Sequence, residues 1–210
     1  MSLVRSTTLL ALVVVAGCQT RRLAYEGGVL LAEADAVQPA QTGPRLVVRT
    51  TDDPIAATPS GDVLRVAIER GVPWQRVRSL MQSLDQDQRR YQMIVGRGRE
   101  VFAFVPSDSL GDEPVIQLLA YADGQFCVRP PESTEAYCVQ GAGGHIPRAF
   151  VRETLRKAVK EYDRTSVSVV LDPTMEWADV VRAIDGARTC CGSTKIRVAI
   201  RNQEPKPITN

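Results

Sequence analysis

Apolar residues fall into two kinds of spacing along this chain, and the alternation between them lays out the fold. Residues 63–68, Val-Leu-Arg-Val-Ala-Ile, read as a strand. Trp74, Val77, Leu80, Met81 and Leu84 then recur at the spacing of a helix face, directly after Pro73, whose fixed φ suits a first turn. Residues 91–95 give the next strand. Strand, helix and strand of these lengths predict a right-handed βαβ unit with its two strands parallel.

The pattern returns with more in front of it. Residues 115–122 are strand-like, Asp123-Gly124 is a tight-turn signal, and residues 125–128 form a second strand. Over 147–162, Phe150, Val151, Leu155, Ala158, Val159 and Tyr162 share one helix face and leave the charged residues for the others. Residues 167–171 are a strand, Trp177, Val180, Val181 and Ile184 a helix stripe, and Ile196, Val198 and Ile200 alternate as a last strand. The expected class is α/β of the α+β kind. It comprises a two-layer β-β-α-β-α-β domain over 110–201 and, before it, a partial βαβ repeat over 45–105, with 45–50 as a weaker strand candidate.

The two units align at one constant offset, which pairs Val66 with Val169, Glu69 with Asp172, Trp74 with Trp177, Val77 with Val180 and Met81 with Ile184. A shared apolar pattern is common to all βαβ units. An acid closing the strand with Trp five residues later is more specific, and it marks an internal repeat.

Outside these units periodicity fails. Residues 18–44 are rich in Ala, Gly, Gln and Glu and read as a flexible tether; residues 202–210, with Pro205 and Pro207, read as a disordered tail. Ahead of the tether, Arg5 precedes an apolar run from Leu9 to Ala16, which is signal-peptide length and too short for the roughly 20 residues of a membrane-spanning helix. Val15-Ala16-Gly17-Cys18 resembles the lipobox of bacterial lipoproteins. That resemblance implies removal of residues 1–17, acylation of the Cys18 thiol and firm attachment to a membrane by several acyl chains. Gln19, rather than Asp, after the cysteine favours the outer membrane. The domain is then expected to face the periplasm, where disulfides persist. A formal charge of +2, with both signs interspersed, gives no basic patch for nucleic acid.

The second half resembles the periplasmic domain of the ExbD/TolR family of biopolymer-transport proteins. The residues that carry the resemblance are Ala122-Asp123-Gly124-Gln125-Phe126, Leu155-Arg156-Lys157-Ala158-Val159, Val169-Val170-Leu171-Asp172, the run from Trp177 to Asp185, and Lys195-Ile196-Arg197-Val198-Ala199-Ile200. The first half repeats only the later part, from Val66 to Trp74. Family members cross the inner membrane once, with an acidic residue in that helix implicated in proton coupling. A lipoprotein signal stands in its place here, so the resemblance implies the interaction module of the family without its motor role.

Five cysteines and one histidine bound the remaining chemistry. Cys127 and Cys138 flank a turn-rich stretch and read either as a disulfide or as two thiols buried in strands. Cys190-Cys191 lacks the C-x-x-C spacing of redox enzymes and reads as a vicinal bridge or as one buried and one exposed thiol. His145, in Gly141-Ala142-Gly143-Gly144-His145, excludes clusters needing two imidazoles, and its glycines are expected to let the backbone turn. Glu69 and Asp172, at strand ends, are expected to cap the following helices or to serve an interaction. The expectation is a lipid-anchored envelope protein with no catalytic residue, cofactor or metal. Its expected partners are the membrane through Cys18 and, beyond it, envelope transport proteins, a second copy or peptidoglycan. The rival is an envelope thiol enzyme or small hydrolase using Cys190, Cys191 or His145.

Overall fold

The computed structural model describes residues 23–51, 63–110 and 114–201; the signal segment, Cys18 and the tail over 202–210 lie outside these. The chain begins with a two-stranded ribbon, β1 (Tyr25–Glu26) and β2 (Val29–Leu30). A four-stranded sheet follows, built from β3 (Arg45–Val48), β4 (Leu64–Ile68), β5 (Tyr91–Arg97) and β6 (Glu100–Phe104) in that order. Helix α1 (Trp74–Gln86) joins β4 to β5, which are parallel as the βαβ pattern requires.

The second half holds β7 (Ile116–Ala120), β8 (Gln125–Arg129), β9 (Tyr137–Gln140), α2 (Arg148–Tyr162), β10 (Ser166–Leu171), α3 (Trp177–Arg188) and β11 (Arg197–Arg201). Its five strands run in the order β11-β10-β7-β8-β9. The chain is thus an α+β protein. The Asp123-Gly124 turn closes the antiparallel β7–β8 hairpin, with Asp123 Oδ1 accepting from the Gln125 amide at 2.9 Å. Beyond the expected elements there are β6 and β9, and β3 is a full strand parallel to β4.

The three parallel strands β3-β4-β5 correspond to β7-β10-β11, and α1 corresponds to α3, so the repeat is present in three dimensions. The two copies meet at their helix starts through reciprocal bonds. Trp74 donates its amide to the Met175 carbonyl at 2.7 Å and Trp177 donates to that of Val72 at 2.8 Å. Gln75 donates to Pro173 at 2.8 Å and Ala178 to Arg70 at 2.9 Å. Each pair of bonds exchanges repeat-equivalent residues, as a pseudo-twofold axis between the copies demands. The 45–105 and 110–201 segments therefore share one core, which runs from Leu46 and Val66 to Val169 and Val198.

Strand pleating explains how that core is bounded. In β4 and β5, Leu64, Val66, Ile68, Met93 and Val95 face it, while Ala67 and Ile94 point to the opposite side. That opposite side cannot face water. It is covered by Ala24, Val29 and Leu31, all buried, so residues 23–44 are a packed lid and not the tether that their composition suggests. Backbone bonds fix the lid: Gly96 donates to Ala32 at 2.8 Å, Ala34 to Gly96 at 3.1 Å, and Gln38 and Ala103 exchange amide bonds at 3.0 and 2.9 Å. Further along, the Asp35 and Ala36 amides donate to Oδ1 of the fully buried Asp185 at 2.8 and 2.7 Å. Arg148 binds the other oxygen at 2.9 Å.

Candidate functional site

Helix α3 is apolar on nearly every face, yet it carries two buried carboxylates, Asp179 and Asp185. A buried carboxylate must be bonded from several sides. Asp185 closes the lid, as above. Asp179, in the first turn, accepts at Oδ1 from the Ile146 amide at 3.1 Å and from the Arg182 guanidinium. Its Oδ2 accepts from His145 Nδ1 at 3.0 Å. The carboxylate sets the tautomer, because only a protonated Nδ1 can donate to it. His145 itself is half exposed.

His145 reaches this position through the loop that leaves β9, one 3-10 turn over Ala142–Gly144 in which Gly143 and Gly144 take φ of 69° and 73°. Side chains disfavour that backbone region, so the glycines perform the turning role expected of them. Close packing of α2 on α3 brings in the remaining parts. A Cβ at Gly186 would stand 2.9 Å from Val151 Cβ, so glycine there lets the helices approach. The result is a cavity of about 500 Å³ whose wall includes His145, Arg70, Arg148, Arg182, Leu31 and the half-exposed Phe150. At its His145 end, ligand-type atoms of His145, Glu176 and Asp179 lie within 4.8 Å of one another.

The structure distributes the sequence candidates over separate places. Glu69 and Asp172 do not cap α1 and α3, whose N-caps are Pro73 and Glu176 without side-chain bonds. Each carboxylate instead ties local backbone: Glu69 accepts from the Thr50 amide and hydroxyl, both at 2.8 Å, and Asp172 from those of Thr174 at 2.8 and 2.7 Å. Both carboxylates are turned to these threonines and not to the helix starts. Cys127 and Cys138 form a disulfide between facing residues of β8 and β9. Cys190 and Cys191 are joined to each other in the turn after α3. That turn is eleven residues past Asp179, about 16 Å along a helix at 1.5 Å per residue, so His145 and these sulfurs share no site.

The disulfide pair also defines an edge. Its Cα atoms are 4.0 Å apart, the close spacing of a non-hydrogen-bonded antiparallel pair, so the N–H and C=O of Cys138 point away from β8. Among the described residues, no strand lies on that outer side of β9. Tyr137 beside it is among the most exposed large side chains. The opposite edge of the same sheet is covered. Asp108 Oδ2 accepts from the Val198 amide at 2.9 Å, Ser107 Oγ accepts from that of Ile200 at 3.2 Å, and Arg188 holds Asp108 at 2.9 Å.

Asp179, Arg182, Arg70 and Arg148 were invisible as a group to sequence reasoning, because α2, α3 and the turn after β4 meet only in three dimensions. One signal was present: two aspartates interrupt the apolar run of α3. Fold and site together define an α+β protein of two fused, pseudo-symmetric βαβ repeats, with one open sheet edge and, apart from it, a charged cavity. No family model, no curated protein and no solved structure matches the chain. No helix among the described residues is long and apolar enough to cross a membrane.

Proposed function

We propose that this protein is a lipid-anchored component of the bacterial cell envelope that acts by binding, accessory to biopolymer transport or envelope integrity, and without proton coupling of its own. The observation that carries this reading is the edge of β9, pinned on one side by the Cys127–Cys138 bridge and open on the other, while the opposite edge of the sheet is covered. An open edge offers unpaired backbone groups to an extended segment. The occupant we assign is an extended segment of an envelope transport protein. Support for the compartment comes from the lipobox-like Val15-Ala16-Gly17-Cys18, which directs the chain to the periplasmic face of a membrane, and from two disulfides, which suit oxidising surroundings. The ExbD/TolR-like pattern of 110–201 supports the link to transport. A thiol enzyme has less support, since Cys190 and Cys191 are bonded to each other and lie at the far end of α3 from His145.

The test is photo-crosslinking in cells with a benzophenone amino acid placed at Tyr137 or, as a control, at the exposed Arg201 on β11. The reading expects one discrete adduct with an envelope protein from position 137, absent from position 201 and lost when Cys18→Ser removes the anchor. Adducts of equal yield from both positions, or none from either, would count against it.

A further inference from the structure

From the juxtaposition of His145, which lines the cavity, with Glu176 and Asp179, we infer a binding site for one divalent metal ion of the zinc class. The three residues offer one nitrogen and two carboxylate oxygens within 4.8 Å of one another, and zinc accepts this donor set. Two of the donors already stand at the separation of neighbouring ligands. Bonds of about 2.0–2.1 Å at a tetrahedral centre put ligand atoms about 3.3 Å apart, and His145 Nδ1 lies 3.0 Å from Asp179 Oδ2. The third donor is on the exposed Glu176, whose carboxylate is free to swing the remaining distance.

The surroundings of Asp179 are those of a metal-binding carboxylate. Its Oδ1 is held by the Ile146 amide and Arg182, which fixes the group and leaves Oδ2 directed at the cluster. Outer bonds of this kind orient metal ligands. Charge agrees: two carboxylates against the one guanidinium of Arg182 leave a net negative cluster that a divalent cation reverses. Binding displaces the Nδ1 proton of His145 to solvent. The protein supplies three ligands, so the fourth position is left to water or to whatever enters the cavity, whose wall includes His145 and Arg182.

The internal repeat gives a separate argument. The positions equivalent to Glu176 and Asp179 in the first copy are Pro73 and Arg76, and α1 forms there with neither acid. The fold does not need this acidic pair. The single histidine of the sequence is no obstacle, because this donor set uses only one imidazole.

The experiment uses the full oxidised chain in detergent, stripped with chelator, and titrates Zn²⁺ alone by calorimetry, with Co²⁺ absorption reporting coordination. The expected result is one ion per chain and a cobalt spectrum of a four-coordinate N/O site. Binding should fall about tenfold or more in both His145→Ala and Glu176→Gln, since even outer partners of metal sites are worth 10–100-fold. Both side chains are exposed, and unchanged circular dichroism will verify that each variant is folded. Absence of binding below millimolar metal, or binding that neither substitution weakens, would overturn the assignment.

Discussion

Trp74 and Trp177, equivalent residues of the two repeats, stack on each other across the pseudo-twofold axis, with ring centroids 6.3 Å apart and planes 13° from parallel. Phe104 meets Trp177 edge-on at 6.3 Å, and both indoles are almost wholly buried. The repeat therefore folds on itself, each copy supplying the aromatic that seals the other.

Removing either ring should weaken the whole chain and not one half of it. Trp177→Ala and Trp74→Ala are each expected to cost about 3–5 kcal/mol in urea unfolding. The double variant should cost less than the sum by about 0.5–1.5 kcal/mol, the coupling of an aromatic pair. Independent unfolding of two halves, or strict additivity, would contradict a shared core.

How much of this was legible in the sequence depended on how local each signal is. The βαβ units were readable because β4, α1, β10 and α3 carry long apolar periods, and the Trp pair betrayed the repeat. The lid was not. β1 and β2 are two residues each, too short to display a period, and the small residues look like linker until Ala24 meets Ala67 and Ile94 and Ala32 and Ala34 join the main core. β9 was hidden for the opposite reason, since most of its side chains are exposed and it shows no alternation of buried and open positions. The cavity cluster depends on tertiary contact alone. His145 and Asp179 become neighbours only when a loop after β9 and the first turn of α3 come together.

One carboxylate pins the lid at Asp35 and Ala36, between its backbone bonds to Gly96 and to Ala103. Asp185→Ala leaves the Asp35 and Ala36 amides and Arg148 without their buried acceptor, an exposure of orphaned partners that costs about 3 kcal/mol. Limited proteolysis should then cut within residues 23–44 before the sheets are attacked, whereas the wild-type lid resists. A loss below about 1 kcal/mol with no early cut would show that the bonds to Gly96 and Ala103 hold the lid without Asp185.

Alkaline stability has a named contributor. Burial of Tyr91, together with the charge of Asp85 and a hydrogen bond to it, pushes the phenol up to about 12. The folded state thus retains a proton that the unfolded chain releases near pH 10. The contribution is fully present below pH 10 and is lost as pH rises from about 10 to about 12. Tyr91→Phe should flatten the fall in stability over that window relative to wild type, measured by denaturant unfolding at each pH. Parallel curves for the two proteins would place the phenol in solvent.

The claim on which the functional reading turns is that β9 takes a partner along its outer side, and a single substitution tests it most directly. Tyr137→Lys sets a charge on an exposed edge position and leaves the disulfide in place, giving up the contact of the Tyr137 phenol with Tyr162. With affinity-tagged full-length chains recovered from detergent-solubilised envelopes, the variant is expected to retain about tenfold less of the envelope protein crosslinked from position 137, the loss of about 1.4 kcal/mol of binding. Equal recovery by Tyr137→Lys and wild type, both equally folded, would contradict docking at β9.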